Sequence, residues 1–172
     1  MNIVWKFITH KDIRGELIQI ATIKDQHWIH GISSQIKWIE ENIDDQDIHL
    51  MGINNDSKEI IAYMALMNVI VEINTFSFSL LGLSNVCVDN RFAGKGLGSQ
   101  LVNQANKYIV ENQKNGILLC KDSLLSFYDK NGWSLLKYKE AYIMDDLYDK
   151  NVMLFNVPLI PNNCCIKISK NF

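Results

Sequence analysis

The chain has 172 residues, enough for one domain around a single well-filled core. Hydrophobic residues make up 48% and charged residues 21%, with a net charge of −2, the balance of a soluble globular protein. Arginine occurs only at Arg14 and Arg91 and no apolar run approaches the ~20 residues of a membrane span, so neither a nucleic-acid partner nor a membrane partner is expected.

The opening "MNIVWKFITHKDIRGE" lacks a charged head, a long apolar stretch and a small-residue cleavage site, which predicts a cytoplasmic protein without a signal peptide. "NIVWKFIT" (2–9) is β-branched and partly alternating, an opening strand. From Asp12 to Lys24 the apolar residues Ile13, Leu17, Ile20, Ala21 and Ile23 follow mostly helical spacing, with Asp12 as N-cap. Gly31 breaks that pattern, and a second helix starts at Ser33 or Ser34 with Ile36, Ile39 and Ile43 on one face.

"DIHLMGIN" (47–54) and "IIAYMALMNVIVEI" (60–73) are strands joined through the turn "NNDSKE", a hairpin. "FSFSLLGLSNVCVD" (76–89) is a further strand in which Gly82 marks a bulge. Residues 97–113 form an amphipathic helix, "GILLC" (116–120) a buried strand, and "DSLLSFYDKNGW" (122–133) a short helix ended by Asn131-Gly132. Strands near 133–139 and 152–157 follow, and Pro158 and Pro161 open a tail. The order is β-α-α-β-β-β-α-β-α-β-β, a mixed α/β chain with a mostly antiparallel first half and no internal repeat.

None of Cys87, Cys120, Cys164 and Cys165 forms a C-x-x-C pair or has a histidine at ligand spacing, so no metal is expected. Cys87 and Cys120 lie in apolar runs and read as small core residues, whereas the Cys164–Cys165 pair suggests no function.

The chemistry lies in "NRFAGKGLGSQLV" (90–102), where Gly94, Gly96 and Gly98 surround Lys95 ahead of a helix. It is not a Walker loop, because no Ser or Thr follows Lys95. Nor is it a dinucleotide fingerprint, because Ser99 stands where the third glycine belongs. A tight glycine turn before a helix start offers successive backbone N–H groups and a partial positive charge, which suits a pyrophosphate.

"VDNRFAGKGLGSQLV" (88–102) resembles motif A of the GNAT N-acetyltransferase superfamily, commonly V-x-P-x-Y-R-G-K-G-I-G, and "SLLSFYDKNGW" resembles its "FYEKxGF" segment. The resemblance covers nearly all of residues 3–157. It implies one GNAT-type domain over 1–172, with a core at 3–157 and a tail at 158–172. The implied fold is α/β (mixed α+β): a central, mostly antiparallel sheet of six or seven strands, splayed at the fourth and fifth, with about four helices.

Acetyl-CoA is implied as co-substrate, with no metal. The pantetheine arm would pair with Val86, Cys87 and Val88, and the pyrophosphate would rest on the N–H groups of Gly94, Lys95, Gly96, Leu97, Gly98 and Ser99, with charge from Arg91 or Lys95. Three positions depart from the pattern: Ala93 replaces a long polar residue, Asn90 replaces Pro, and Lys121 replaces Asn.

Transfer to an amine requires a neutral nucleophile, a stabilised oxyanion and a protonated leaving thiolate. The resemblance places Tyr128 as the general acid. A backbone N–H near Cys87 or Val88 is expected to serve the oxyanion. Gly82 and Ser84 stand where relatives carry a carboxylate, which leaves Glu72, Asp122 or a water chain as the base, Glu72 first.

The acceptor loop is expected at "DQHWIHGIS", where His27, Trp28 and His30 combine aromatic surface and hydrogen-bonding groups, with Trp28 and His30 on the substrate side together with Ser84. The acidic runs 40–47 and 144–149 would attract a cation. A partial similarity to aminoglycoside 2'-N-acetyltransferases over Val86–Trp133 favours a small-molecule amine acceptor. Peptide acetylation and a non-catalytic CoA-binding module are the alternatives. Dimers are common among similar proteins, so a homodimer is the oligomer to look for.

Overall fold

A computed structural model describes residues 2–157 and 164–172; Pro158 and Pro161 lie outside the described residues. The chain order is β1 (Ile3–Thr9), α1 (Leu17–Asp25), α2 (Ile32–Asn42), β2 (Ile48–Asn54), β3 (Ile60–Ile73), β4 (Phe76–Val88) and α3 (Leu97–Glu111). It continues with β5 (Gly116–Cys120), α4 (Leu125–Lys130), β6 (Ser134–Leu135), β7 (Tyr138–Ile143), β8 (Asp146–Tyr148), β9 (Asn151–Phe155) and β10 (Cys164–Ile168). The strands form a mixed sheet, parallel where β4 meets β5 and β10 meets β7, with four α-helices among the described residues. The expected fold class holds. Among the described residues ten strands replace the expected six or seven because β6, β8 and β10 are also paired.

Contacts group the chain into two compact units: Met1–Met67 with Ser84–Ala105, and Asn68–Leu83 with Asn106–Phe172. In the first, β1 pairs antiparallel with β2 from Ile3↔Asn54 to Thr9↔Ile48, and β2 pairs with β3 from Ile48↔Leu66. Ile20, Ala21 and Ile23 of α1 and Ile39 of α2 are buried with Leu50 and Ile61. α1 starts at Leu17 rather than at Asp12. Asp12 instead closes a 3-10 turn by accepting the Thr9 hydroxyl, and Glu16 takes the Lys6 ammonium at 2.6 Å just before the helix.

Buried polar groups run through this unit. The His49 ring lies 2.9 Å from His10 Nδ1 through Nε2 and 2.8 Å from the Tyr63 hydroxyl through Nδ1. Burial first, then His10, pushes His49 down to about 4, with Lys24 acting in the same direction and Asp47 and Glu16 opposing. The unfolded chain therefore takes up this proton first as pH falls, so stability present above about 6.5 is lost progressively toward pH 4. Urea unfolding at pH 7 and pH 4.5 should show a loss of about 2–3 kcal/mol from this group. His49→Gln should shrink the difference between the two pH values by that amount. An unchanged difference would remove His49 as the cause.

In the second unit β9 lies between β6 and β5, and β5 pairs with β4 only at Leu81↔Gly116 and Gly82↔Ile117. β10 lies between β3 and β7, antiparallel to the first and parallel to the second. The expected tail thus contributes a strand, with Cys164 buried and Cys165 exposed. The single strand expected at 133–139 is divided, because the chain changes neighbours: β6 pairs with β9 and β7 with β10. The second acidic run turns at Met144 (φ 50°) and Asp145 (φ 72°), the two left-handed residues of a tight β7–β8 hairpin.

The bulge expected at Gly82 is not what that glycine serves. A Cβ there would come within 2.6 Å of Phe172 Cδ2 and 2.9 Å of Val69 Cγ2, so Gly82 admits a packed ring. The left-handed residue of β4 is Asn85 at φ 54°, a conformation asparagine tolerates better than most side chains.

Candidate active site

The glycine loop belongs to the first unit. Asp89 follows β4 and caps the next 3-10 turn, Asn90–Phe92, by accepting the Arg91 N–H at 2.9 Å. The turn continues through Phe92 N–H to Asp89 O (2.8 Å) and Lys95 N–H to Phe92 O (3.4 Å). Gly94 and Gly96 then adopt φ +73° and +76°, and a Cβ on either would meet nothing within 4 Å. The first intrahelical bond of α3 runs from Gln100 N–H to Gly96 O, so the N–H groups of Leu97 and Gly98 have no acceptor within the helix. Two left-handed glycines with open space above them, running into free helix N–H groups, fit a pyrophosphate.

The charged side chains are arranged differently from the sequence expectation. Arg91 forks onto Asp89, with Nε 3.0 Å from Oδ1 and Nη2 2.9 Å from Oδ2, and also reaches Glu59 at 3.5 Å. This pair holds the Asp89 carboxyl below the usual carboxylate range and raises the guanidinium. Lys95 folds back, its Nζ 3.0 Å from Arg91 O and 5.2 Å from the centre of the Phe92 ring. The loop therefore presents backbone first, consistent with the short side chain at Ala93.

Val86 and Val88 are half-buried and Cys87 is buried. Asp89 N–H points to β3, meeting Ile61 O at 2.9 Å. Strand alternation sends the N–H and C=O of Val88 the opposite way, and two residues back those of Val86. Burial pushes the Cys87 thiol up to about 12, so it remains a protonated, unreactive thiol. Burial also lowers the Lys24 amine to about 8. Its Nζ is buried without a hydrogen-bond partner, 4.1 Å from the centre of the Trp38 ring. Lys24 stands four residues after Ile20 and seven after Leu17, on the apolar face of α1, so its spacing signals burial although its charge does not.

The expected acceptor loop is held at both ends. Asp25 Oδ1 accepts the N–H groups of His30 (2.9 Å) and Gly31 (2.7 Å), and the Gln35 amide donates to Trp28 O. Trp28 is 41% exposed and His30 is exposed. Ser84 is buried, its Oγ accepting from Asn85 Nδ2 at 2.7 Å. Of the first acidic run, Asp47 is buried as a turn cap that accepts Asp44 N–H at 3.0 Å.

Tyr128 lies on α4 in the second unit and is 6% exposed. Phe127 meets it edge-on at 4.9 Å and Trp133 at 6.4 Å. Trp133 is in turn fixed by Nε1–H to Asn106 Oδ1 (3.0 Å), while Asn106 Nδ2–H reaches Asn131 O (2.8 Å). The "NGW" segment thus anchors the short helix that carries Tyr128. Burial, with a smaller contribution from Cys120, pushes the hydroxyl up to about 12. Glu72 is exposed on β3 opposite Lys167 of β10, beside a cavity of about 300 Å³ with Asp145 and Ser169 in its wall. Asp122 accepts Asn151 Nδ2–H at 2.7 Å.

The model of the acetyltransferase (GNAT) domain matches residues 46–135, just over half of the chain. The chain belongs to the GNAT family of acetyltransferases. It is an acyl-CoA-dependent N-acyltransferase by that membership. Escherichia coli ElaA is similar at 17% identity and TM-score 0.64, over 89% of this chain and 99% of that one. The GNAT family N-acetyltransferase YhbS of Escherichia coli, solved in complex with CoA, is similar at 14% identity and TM-score 0.63, over 98% and 92%. An aminoglycoside 6'-N-acetyltransferase complexed with coenzyme A is similar at 13% and 0.65, over 94% and 100%. At these identities the structural likeness concerns the fold. A search of curated proteins found no match. Among the described residues no helix is long and apolar enough to cross a membrane.

Proposed function

We propose that the protein moves the acetyl group of acetyl-CoA directly to a primary amine of a small molecule, an amino sugar, aminoglycoside-like or polyamine-like compound. The observation that carries the donor assignment is the pair of left-handed glycines, Gly94 and Gly96, with open space where a side chain would stand and the α3 start behind them. Bound there, acetyl-CoA supplies an activated thioester. The N–H groups of Gly94, Gly96, Leu97 and Gly98 hold its pyrophosphate, and the outward groups of Val86 and Val88 hold its pantetheine amides.

Alternation along β4 favours Val88 N–H over Cys87 N–H for stabilising charge on the acetyl oxygen, since Cys87 is in phase with the β3-facing Asp89. Tyr128 keeps its proton until the thiolate leaves. A water chain is the proposed route for the amine's proton, since Glu72 stands eleven residues along β3 from Ile61, the partner of Asp89. Cys87 is protonated and buried, which favours direct transfer over an acetyl-cysteine on this strand.

Two features support the acceptor class. Trp28 offers an exposed ring on a loop with fixed ends, and Glu40, Glu41, Asp44 and Asp45 are exposed. The aminoglycoside 6'-N-acetyltransferase adds a small-amine enzyme of the same fold. An acceptor screen with the intact protein and acetyl-CoA tests the reading through release of free thiol. Amino sugars and polyamines should outrun peptides. Faster turnover of peptides would transfer the activity to proteins. CoA binding without turnover on any amine would leave a binding module.

A further inference from the structure

The loop between α1 and α2 is tied to the strand and turn proposed to hold the donor, by two consecutive side chains that no motif announces. His27 Nε2 lies 2.7 Å from Val88 O. A carbonyl only accepts, so Nε2 carries the proton, either in the neutral Nε2–H tautomer or in the charged imidazolium. Val88 O is the carbonyl that alternation turns away from β3, on the edge where a pantetheine amide would pair. One residue earlier, Gln26 Oε1 accepts Asn90 N–H at 2.9 Å, and its Nε2 lies 3.4 Å from Asp89 Oδ2. Asp25 closes the other end of the loop through His30 and Gly31. Only Trp28 and Ile29 lie between these ties, and both are exposed.

We infer that Gln26 and His27 are positioning residues that transmit occupancy of the Val88 edge and glycine loop into the Trp28 loop. The inference rests on the acetyl-transfer reading above. A carbonyl oxygen has two lone pairs. When a donor amide takes one, the direction of Val88 O is fixed and His27 keeps the other. Gln26 responds in the same way when the turn at Asn90 is clamped. Acceptor binding follows on a loop whose ordering cost is already met, and by linkage the acceptor tightens the donor equally.

Hydrogen–deuterium exchange on the intact chain, with CoA as the probe, tests this. CoA should slow exchange at 94–99 and, several-fold, at 27–31. His27→Leu should keep the protection at 94–99 and lose that at 27–31, while His27→Gln, whose amide N–H can reach the same carbonyl, should keep both. Wild-type protection confined to 86–99, or full loop protection in His27→Leu, overturns the coupling and leaves the donor assignment standing. Absence of any protection at 94–99 in the wild type overturns the donor assignment, and the coupling with it.

Discussion

Tyr128→Phe should lower kcat at least ~100-fold with the best amine of the screen, the range general acid catalysis supplies. The melting temperature should scarcely move. The ring stays against Phe127 and Trp133, and among the described residues no hydrogen-bond partner meets the hydroxyl that is removed. Affinity for CoA should be unchanged as well, which separates a lost proton donor from a damaged site. Burial raises this phenol to about 12 and raises the Cys120 thiol too. The acid therefore stays protonated through the usual working range. The rate should climb as the amine loses its proton and show no alkaline fall from Tyr128 below about pH 11. An unchanged kcat in Tyr128→Phe would remove this residue from the chemistry.

Replacing both Gly94 and Gly96 by valine should weaken CoA binding by ~100-fold or more, since charged hydrogen bonds contribute about 1.5–3 kcal/mol each and at least two would be lost. The left-handed backbone at φ +73° and +76° adds strain of roughly 1–2 kcal/mol per substituted residue. That strain alone would lower the melting temperature without touching CoA. The alanine pair carries the same strain with far less bulk, so comparing the two pairs by calorimetry with CoA separates conformation from access. Equal and undiminished affinity in both would move the donor elsewhere. Because Arg91 is committed to Asp89 and Glu59, Arg91→Ala should cost binding much less than the valine pair.

The helices and long strands were readable in the sequence wherever period and punctuation agreed. β3 as 60–73 and the stop after Lys130 are examples. Misreadings came where a local signal was met by a tertiary partner. Asp12 looked like a cap but serves Thr9, and Gly82 looked like a bulge but makes room for Phe172. β10 was unreadable because a five-residue strand becomes one only when β3 and β7 flank it. In the site, the glycine loop and Tyr128 rest on short contiguous motifs. The tie from His27 to Val88 spans sixty-one positions and has no sequence signature. Nor does the pairing that occupies Arg91, because charge alone does not say which partner a side chain will choose.

The position of β10 bears on how the second unit assembles. Ile166 pairs with Ile73, some ninety residues earlier, and the same strand runs parallel to β7. Until β10 arrives, β3 and β7 each present a bare edge, and loop closure must be met before either gains a neighbour. Such edges are templates for pairing with other chains. One short strand thus covers the edges of two others. A truncation ahead of Cys164 would shed no ornament; it would leave a slot in the sheet, open to β-strands of other molecules.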